Sequence, residues 1–350
     1  MKHEVAPRRG FQPTLGFCLK ASRIESPGHP VKGVGPERAT KHLGVLAISW
    51  LVFQALPQGL MAGENVPHAP FAQWADVPER GQFVAGLSYQ ESEAYHIWAG
   101  NTYRNVTVKA GGESYGIDAT QGYVTLQYGI TERWAADMSI GYGTVGWRFF
   151  ANGAPSGTVQ STSGLLDTSL GVRYQIFKEG PGQSAWVPTL TFRAGGVLPG
   201  TYSKSFAFPP GDRSVAIEPE LLLRKHFGWT GLGFYADALF RWNKTSHNDH
   251  YILSAGFFQQ IKNWEVQVGY RRLGTVTGEN IVLNPDNSVY YPREVRENNH
   301  AIEAGFSYTT TKQRIQMGFH TRTVVDGVNT DSKFWVGGYA NFPFELTPKK

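Results

Sequence analysis

Residues 164–177, GLLDTSLGVRYQIF, constrain the fold of this chain more than any other stretch. Apolar and polar residues alternate along it. Leu166 and Val172 fall on the apolar face, whereas Asp167 and Arg173 fall on the polar face. This alternation is typical of a β-strand whose two faces meet different surroundings. About ten such residues, ended by aromatic side chains and a turn, allow a tilted strand to cross an outer-membrane bilayer between lipid and a wet lumen.

The same alternation recurs to the end of the chain and predicts about twelve strands. They cover residues 81–90, 122–130, 134–143, 164–177, 186–200, 214–227, 233–244, 251–261, 264–274, 300–310, 314–323 and 332–342. Connections predicted to be long lie near 90–118, 148–163, 198–213, 244–249, 275–298 and 324–331, and short turns alternate with them. Pro188 and Pro219 are awkward in paired strands, so we expect strand ends or bulges there. The sequence therefore predicts an all-β fold, a transmembrane antiparallel up-and-down β-barrel of about 12 strands.

Such a barrel must be closed, because each unpaired backbone group in hydrocarbon costs several kcal/mol. The first and last strands are therefore expected to pair. The last strand ends in aromatic residues at Phe342 and Phe344, before the tail ELTPKK. It looks like the signal that the outer-membrane assembly machinery reads. We expect membrane lipid and that machinery as partners, and the outer membrane of a Gram-negative-type bacterium as the location.

The segment before the barrel is expected to be removed or peripheral. Residues 1–62 are interpreted as a leader and signal peptide, because the apolar run 43–56 follows basic residues and is too short for a membrane helix. The single cysteine, Cys18, lies in this leader. Residues 63–80 are expected to be a periplasmic lead-in that forms a loose tail, with the alternative that it tucks into the barrel mouth. Residues 81–344 form the predicted barrel and 345–350 a tail.

The basic charge of the chain belongs to the leader. The net charge is +5, and residues 1–62 hold eight basic and three acidic residues. The remainder is therefore neutral. A nucleic-acid footprint needs a basic patch on the folded domain, so no nucleic-acid partner is predicted.

Charged residues on the polar faces of the predicted strands are expected to line the lumen. They are Asp137, Asp167, Arg173, Arg193, Glu218, Glu220, Arg224, Asp237, Arg241, Glu265, Arg271, Glu303, Arg314 and Arg322, with His226 and His320. Arg173 is expected to pair with Asp137 or Asp167. Two compatible interpretations follow: the charges pair across the lumen and fill it, or they leave a narrow polar path whose charges select what passes.

No catalytic residue, metal site or cofactor is predicted. His247 and His250 are the best pair of metal ligands, but they lie in a predicted outer loop with only Asp249 beside them, whereas a closed site needs more ligands. Glycine pairs such as Gly231 and Gly233 fall on strands or turns without a following helix, so they are interpreted as structural.

Residues 164–245 resemble a known family. LLDTSLGVRYQIF is followed by PTLTFRAGGVLPG and LLLRKHFG. These segments are similar to the outer-membrane transporters linked to the meta-pathway of phenol degradation, in which an Asp-Thr-Ser-Leu-Gly strand precedes one that ends in Leu-Pro-Thr-Gly. Here the second motif reads Leu198, Pro199, Gly200, Thr201, with the last two exchanged. The resemblance implies a barrel that passes or binds small compounds and brings no catalytic residues.

We interpret the chain as an outer-membrane pore or transporter for small molecules, which can be hydrophobic, and not as an enzyme. One alternative is a structural or adhesive barrel that acts through its outer loops. Another is an embedded phospholipase-like hydrolase, which would need a serine and a histidine within reach of each other on the lipid-facing side. The serines of the predicted strands mostly point inward.

Overall fold

The computed structural model describes residues 72–105, 108–110, 113–151, 154–180, 183–203, 210–228, 230–244, 248–283, 289–290 and 295–345. The chain divides into two units, Met1–Gln54 and Ala55–Lys350. The first unit lies outside the described residues. So do the rest of the predicted leader and signal peptide and the tail after Glu345. None of the described residues belongs to a helix that is long and apolar enough to cross a membrane.

Twelve antiparallel strands of the described chain close into a ring. They are β1 (Gln82–Ala94), β2 (Ile117–Gly129), β3 (Trp134–Ala151), β4 (Thr168–Phe177), β5 (Thr189–Leu198), β6 (Ala216–His226), β7 (Leu232–Asn243), β8 (His250–Ile261), β9 (Trp264–Thr275), β10 (Asn298–Thr309), β11 (Gln316–Val328) and β12 (Phe334–Glu345). Each pairs with the next, and β12 closes the ring on β1, with Phe344 opposite Phe83. The predicted barrel of twelve strands is confirmed.

The two faces of the strands meet different surroundings, as the alternation predicts. On β4 the side chain of Val172 points out and is 42% exposed, whereas the next residue, Arg173, points in and is 0% exposed. The same change of face separates Phe192 from Arg193 on β5. The outer face is apolar because it meets lipid, and the inner face collects the charged and amide side chains.

The strand predicted to begin at residue 164 begins only at Thr168. Residues 164–165 belong to another strand, Ala154–Leu165, which pairs with the C-terminal part of β3. Between the two strands Leu166 and Asp167 are both buried, so the alternation is interrupted for one residue. The prediction that Leu166 faces lipid was therefore wrong, because a break in the strand turns two successive side chains inward.

The prolines fall where the strand pairing is incomplete. Pro188 directly precedes β5. Pro219 lies within β6. It stands opposite Ala194 on β5, but on the β7 side the register passes from Ile217 opposite Trp242 to Glu220 opposite Leu239 and leaves Pro219 without a partner there. A residue without a backbone donor is tolerated at such a gap in the ladder.

Connections are longer on average at one end of the barrel than at the other. At one end they cover 95–116, 152–167, 199–215, 244–249, 276–297 and 329–333, and at the other 130–133, 178–188, 227–231, 262–263 and 310–315. The first set includes short hairpins, such as His96–Ala99 paired with Thr102–Asn105. The long loop predicted over 324–331 was wrong, because pairing between β10 and β11 continues past a bulge at His300 to Asn298 opposite Val328.

Aromatic residues ring the outer wall at the end with the short connections. Ring centroids lie 4.4 Å apart for Phe83 and Tyr128, 4.6 Å for Trp134 and Tyr174, and 4.9 Å for Trp264 and Tyr308. Trp134 and Trp264 are exposed on this wall. Aromatic girdles of this kind mark the edge of the apolar band in outer-membrane barrels.

Candidate functional site

The centre of the inner wall is built around the guanidinium group of Arg193. Its Nε donates to Oδ1 of Asp137 at 2.9 Å, and its Nη1 lies 3.6 Å from a carboxylate oxygen of Glu218 and 3.5 Å from one of Glu220. Its Nη2 donates to Oγ of Ser169 at 2.7 Å. One buried cation on β5 is thus held by side chains from β3, β4 and β6.

Two glycines make room for this cation. A Cβ at Gly171 on β4 would lie 2.6 Å from Nε of Arg193, and a Cβ at Gly195 on β5 would lie 2.5 Å from its Nη1. Real Cβ atoms do not approach other atoms so closely. Both positions therefore need a residue without a side chain while Arg193 stays in place.

The network of charges continues around the wall. Nη2 of Arg241 lies 2.5 Å from Glu218, and its Nη1 donates to Asp212 at 2.8 Å. On the next strands, Glu303 lies 3.7 Å from both Nε of Arg271 and Nε of Arg322. Removing one partner of a buried ion pair leaves an uncompensated charge, so these groups depend on one another.

The structure places most of the sequence-predicted lumen residues on this inner wall. Those with buried side chains are Asp137, Asp167, Arg173, Arg193, Glu218, Glu220, Arg241, Glu265, Arg271 and Glu303, while Arg224, Asp237 and Arg322 are partly buried. Arg314 is an exception. It lies in the turn before β11, with a side chain 69% exposed and 3.4 Å from Glu79, because β11 begins only at Gln316. Arg314 therefore contributes to a cavity at the mouth of the barrel from a turn, and not from the strand that was predicted to carry it.

The histidines fall into different places. His320 is buried on the inner face of β11, whereas His226 lies at the short-connection end of β6. His250 is the first residue of β8, and its Nδ1 lies 3.8 Å from Asp212. His247, the other member of the predicted ligand pair, lies outside the described residues.

The lead-in enters the barrel at the short-connection end. Ala72–Ala75 form one turn of 3-10 helix, and Nη1 of Arg173 donates to the carbonyl oxygens of Trp74 and Asp76 at 3.0 Å each. Oγ1 of Thr191 donates to the carbonyl of Ala75 at 2.6 Å. The expectation of a loose tail was wrong for this part of the lead-in, because buried donors on β4 and β5 bind its backbone carbonyls.

Side chains of the lead-in strengthen this contact. The guanidinium of Arg173 lies 4.4 Å from the ring centroid of Trp74, within the range of a cation–π interaction. Arg224 on β6 forms an ion pair with Asp76. Arg173 also lies 3.5 Å from Asp137, one of its two expected partners, whereas the other, Asp167, binds elsewhere.

On the other side of the lead-in, the strands contribute uncharged groups to the lumen. There a cavity of about 360 Å³ opens between the lead-in and the strands β1, β2, β10, β11 and β12. The strand residues that line it are Gln82, Val84, Thr125, Gln127, Thr309, Gln316, Asn341 and Pro343. Nδ2 of Asn341 donates to Oε1 of Gln316 at 3.1 Å, so the amides hold each other in place. Its charged lining residues, Asp76, Glu79, Lys178 and Arg314, belong to the lead-in and to the connections and not to the strands.

The two motifs behind the family resemblance meet in space. Oδ1 of Asp167 accepts hydrogen bonds from N–H of Gly200 at 2.7 Å and from the hydroxyl of Tyr202 at 2.9 Å. Oδ2 accepts from N–H of Arg213 at 3.0 Å. A Cβ at Gly200 would lie 2.2 Å from the carbonyl oxygen of Leu165. The aspartate thus fastens the connection between β5 and β6 to the wall, which is a structural reason for both motifs.

A second ion cluster joins the connection between β4 and β5 to the end of β6, at the short-connection end of the barrel. Glu179 accepts from Nζ of Lys225, and its Oε2 lies 2.9 Å from Nδ1 of His226. Burial raises the pKa of the Glu179 carboxyl, but the hydrogen bonds from Lys225 and His226 outweigh burial and hold that pKa below its usual range.

Sequence reasoning missed the amides and the contacts of the lead-in. Gln127 and Asn341 obey the same alternation as the charged residues and could have been found by it, because each lies between two outward-facing apolar residues. The lead-in binds mainly through backbone carbonyls, which carry no sequence signal. Tyr202 and Asp212 lie in connections, where alternation does not apply.

A closed barrel with an apolar outer wall and a polar inner wall defines an outer-membrane β-barrel protein. A family model described as the MetA-pathway of phenol degradation matches residues 92–330. This range is more than half of the chain, and the chain belongs to that family. The resemblance seen in the sequence is therefore confirmed. No curated protein matches the sequence.

Solved structures share the fold. An outer-membrane channel from Pseudomonas putida F1 matches with a TM-score of 0.60 at 13% identity, over 80% of this chain and 100% of that one. The translocator domain of the autotransporter NalP from Neisseria meningitidis matches with a TM-score of 0.40 at 12% identity, over 78% and 91%. A mutant of the TodX monoaromatic hydrocarbon channel has a TM-score of 0.38 at 10% identity, over 79% and 93%. The first match supports the fold, and the other two add no further support.

Proposed function

We propose that this chain is an outer-membrane channel for small uncharged molecules, including hydrophobic ones. The observation that carries the proposal is the division of the inner wall. Charged side chains on β3 to β7 and on β9 to β11 neutralise one another, whereas the cavity beside the lead-in is lined by amide, hydroxyl and apolar groups of its strands. The charged residues that line this cavity from outside the strands are two acidic, Asp76 and Glu79, and two basic, Lys178 and Arg314, so a solute there meets no net charge.

The lining suits a molecule with an apolar body and few polar atoms. Val84 and Pro343 supply apolar contacts, and Gln127, Gln316 and Asn341 supply hydrogen-bond donors and acceptors. Small-molecule sites commonly combine these two elements in volumes of about 300 to 1,000 Å³. The family description supports the same class, since phenol is small, aromatic and uncharged. The fold it shares with an outer-membrane channel agrees with it.

Swelling of liposomes that contain the purified barrel tests this proposal. Glucose, gluconate and glucosamine are similar in size but are neutral, anionic and cationic. Glucose is expected to enter several times faster than either charged solute, because a charged solute loses hydration that the amides replace only in part. Swelling no faster than that of protein-free liposomes would overturn the proposal and favour the structural or adhesive barrel. Equal entry of all three solutes would contradict the selectivity.

A hydrolase is not favoured by the outward-facing residues described. His300, on the outer face of β10, has Arg272 and Asp326 as its partners in the register of the neighbouring strands. Neither is a nucleophile of the kind that such an enzyme uses with a histidine.

A further inference from the structure

The outer wall carries an arginine in an otherwise apolar row. Outward-facing residues of β9 are Trp264, Val266, Val268, Tyr270 and Arg272, all of them exposed. An arginine on the lipid-facing side costs about 2 to 4 kcal/mol at the bilayer midplane but only about 0 to 1 kcal/mol near the interface. Its height on the wall therefore decides whether the position is tolerated and what the guanidinium meets.

Arg272 lies close to the interface on the side of the long connections. It is eight residues along β9 from Trp264, which belongs to the opposite aromatic girdle. That length of tilted antiparallel strand rises about 20 Å, while the apolar band of such barrels is about 25 Å tall. The guanidinium therefore reaches the headgroups of the outer leaflet, if the long connections face outward as in other outer-membrane barrels.

Aromatic and imidazole groups surround this arginine. Its guanidinium lies 5.8 Å from the ring centroid of Tyr251, and that ring covers Gly274, where a Cβ would lie 2.5 Å from it. Arg272 stands opposite His300 in the register of β9 and β10. The hydroxyl of Tyr270 and Nδ1 of His300 share a hydrogen bond. Together these four side chains, Arg272, Tyr251, Tyr270 and His300, form what we call the outer patch.

Within the described part of the chain, the charge of Arg272 is not matched by a neighbouring carboxylate. Among the residues that the structure describes, no carboxylate forms an ion pair with it. The nearest acidic position in the register is Asp326 on β11, which stands opposite His300. Its carboxylate accepts a hydrogen bond from N–H of Gly327 at 2.8 Å. A planar guanidinium with free donors at a lipid headgroup is suited to a phosphate group, which it can bind through two parallel hydrogen bonds.

We propose that the outer patch binds the phosphate of a phosphorylated glycolipid in the outer leaflet. Arg272 supplies the charge and the hydrogen-bond donors, and the ring of Tyr251 contacts the guanidinium on one side. The hydrogen-bonded pair of Tyr270 and His300 provides further polar groups on the other side. The apolar row toward the midplane, Val266 and Val268 on β9 and Phe257 opposite Val268 on β8, lies where the acyl chains of the same lipid would run. The site faces lipid and is independent of the lumen and its solutes.

Native mass spectrometry of the purified barrel with lipid A tests this site. Arg272→Gln is expected to lower the fraction with bound bisphosphorylated lipid A by about tenfold, the effect of losing one charged hydrogen-bond partner. Arg133→Gln is the matched control, because Arg133 is exposed in the connection between β2 and β3 at the other end of the barrel. This control should bind as the unchanged protein does. Arg272→Lys keeps the charge but loses the planar donors, so it should bind to an intermediate extent.

Two further ligands identify the group that is recognised. Dephosphorylated lipid A should bind to the unchanged protein as weakly as bisphosphorylated lipid A binds to Arg272→Gln, and inorganic phosphate should not compete at millimolar concentration. Gel electrophoresis of heated and unheated samples is run in parallel. A variant that migrates more slowly after heating than without heating was folded. Unchanged binding by Arg272→Gln, equal binding of the dephosphorylated lipid, or displacement by inorganic phosphate would each overturn the proposal.

Discussion

At the scale of single residues, the inner side of this barrel is held by carboxylates that accept several hydrogen bonds at once. Asp167 is the clearest case, because its two oxygens accept from two backbone N–H groups and from Tyr202. An aspartate in this role joins distant parts of the chain, since Gly200 lies near the beginning and Arg213 near the end of the same connection. Such a residue contributes to stability through its neighbours more than through its own burial.

Asp167→Asn is expected to destabilise the barrel by about 1 to 3 kcal/mol. The amide that replaces one oxygen is a donor and cannot accept from N–H of Gly200 or Arg213, so a buried backbone group loses its partner. Urea unfolding followed by tryptophan fluorescence measures the change. Asp326→Asn is the control, because Asp326 is exposed and accepts one local hydrogen bond. Equal midpoints for both variants would show that the aspartate does not fasten the connection.

The pKa of Glu179 makes a second prediction at this scale. Its folded pKa is lowered, so its contribution to stability is present above the unfolded pKa of about 4.3 and is lost as the pH falls through the folded value. Glu179→Gln should therefore lower the urea midpoint at neutral pH, and the difference from the unchanged protein should vanish at about pH 2. Glu132→Gln, in the exposed connection between β2 and β3, is the matched control and should leave the urea midpoint at neutral pH close to that of the unchanged protein. A difference that persists at low pH would contradict the role of the charge.

At the scale of the strand, adjacent residues have opposite requirements. Val172 meets lipid, so Val172→Arg should cost about 2 to 4 kcal/mol near the bilayer midplane and reduce assembly. Arg173→Ala should assemble, but it removes the donor that binds Trp74 and Asp76 and so weakens the attachment of the lead-in to the wall. The yield of heat-modifiable barrel in membranes measures the first effect, and accessibility of the lead-in to protease measures the second.

These two responses depend on the register of β4. A shift by one residue would exchange them, because it moves every side chain to the other face. Equal, mild effects of Val172→Arg and Arg173→Ala would mean that β4 does not cross the membrane.

The alternation of side chains was enough to predict the strands and most of the inner wall. It succeeds because each residue of a membrane strand must meet either lipid or lumen, so the two faces leave a period of two in the sequence. It fails at Leu166, where a break turns two neighbours inward. It also fails for the lead-in, whose contacts use backbone carbonyls, and for Asp212, which acts from a connection.

At the scale of the whole molecule, the lengths of the connections predict its orientation in the membrane. A tag inserted near Asn248, between β7 and β8, is expected to be labelled on intact cells, whereas tags at Asn263 or Gln313 are expected to be hidden in the periplasm. Antibody labelling of intact and permeabilised cells distinguishes the two. Labelling at Asn263 on intact cells would reverse the orientation, and with it the leaflet that the outer patch meets.

The central claim is that solutes pass along the uncharged side of the lumen. It is tested most directly by single cysteines at two adjacent residues of β12, with Cys18 replaced by serine so that no other thiol is present. Asn341 lines the cavity, whereas Phe342 faces outward and is exposed. Glucose entry into liposomes is measured before and after each cysteine reacts with a charged, bulky thiol reagent. Reaction at Asn341→Cys should slow entry severalfold and reaction at Phe342→Cys should leave it unchanged, whereas unchanged entry after complete reaction at Asn341→Cys would contradict the account.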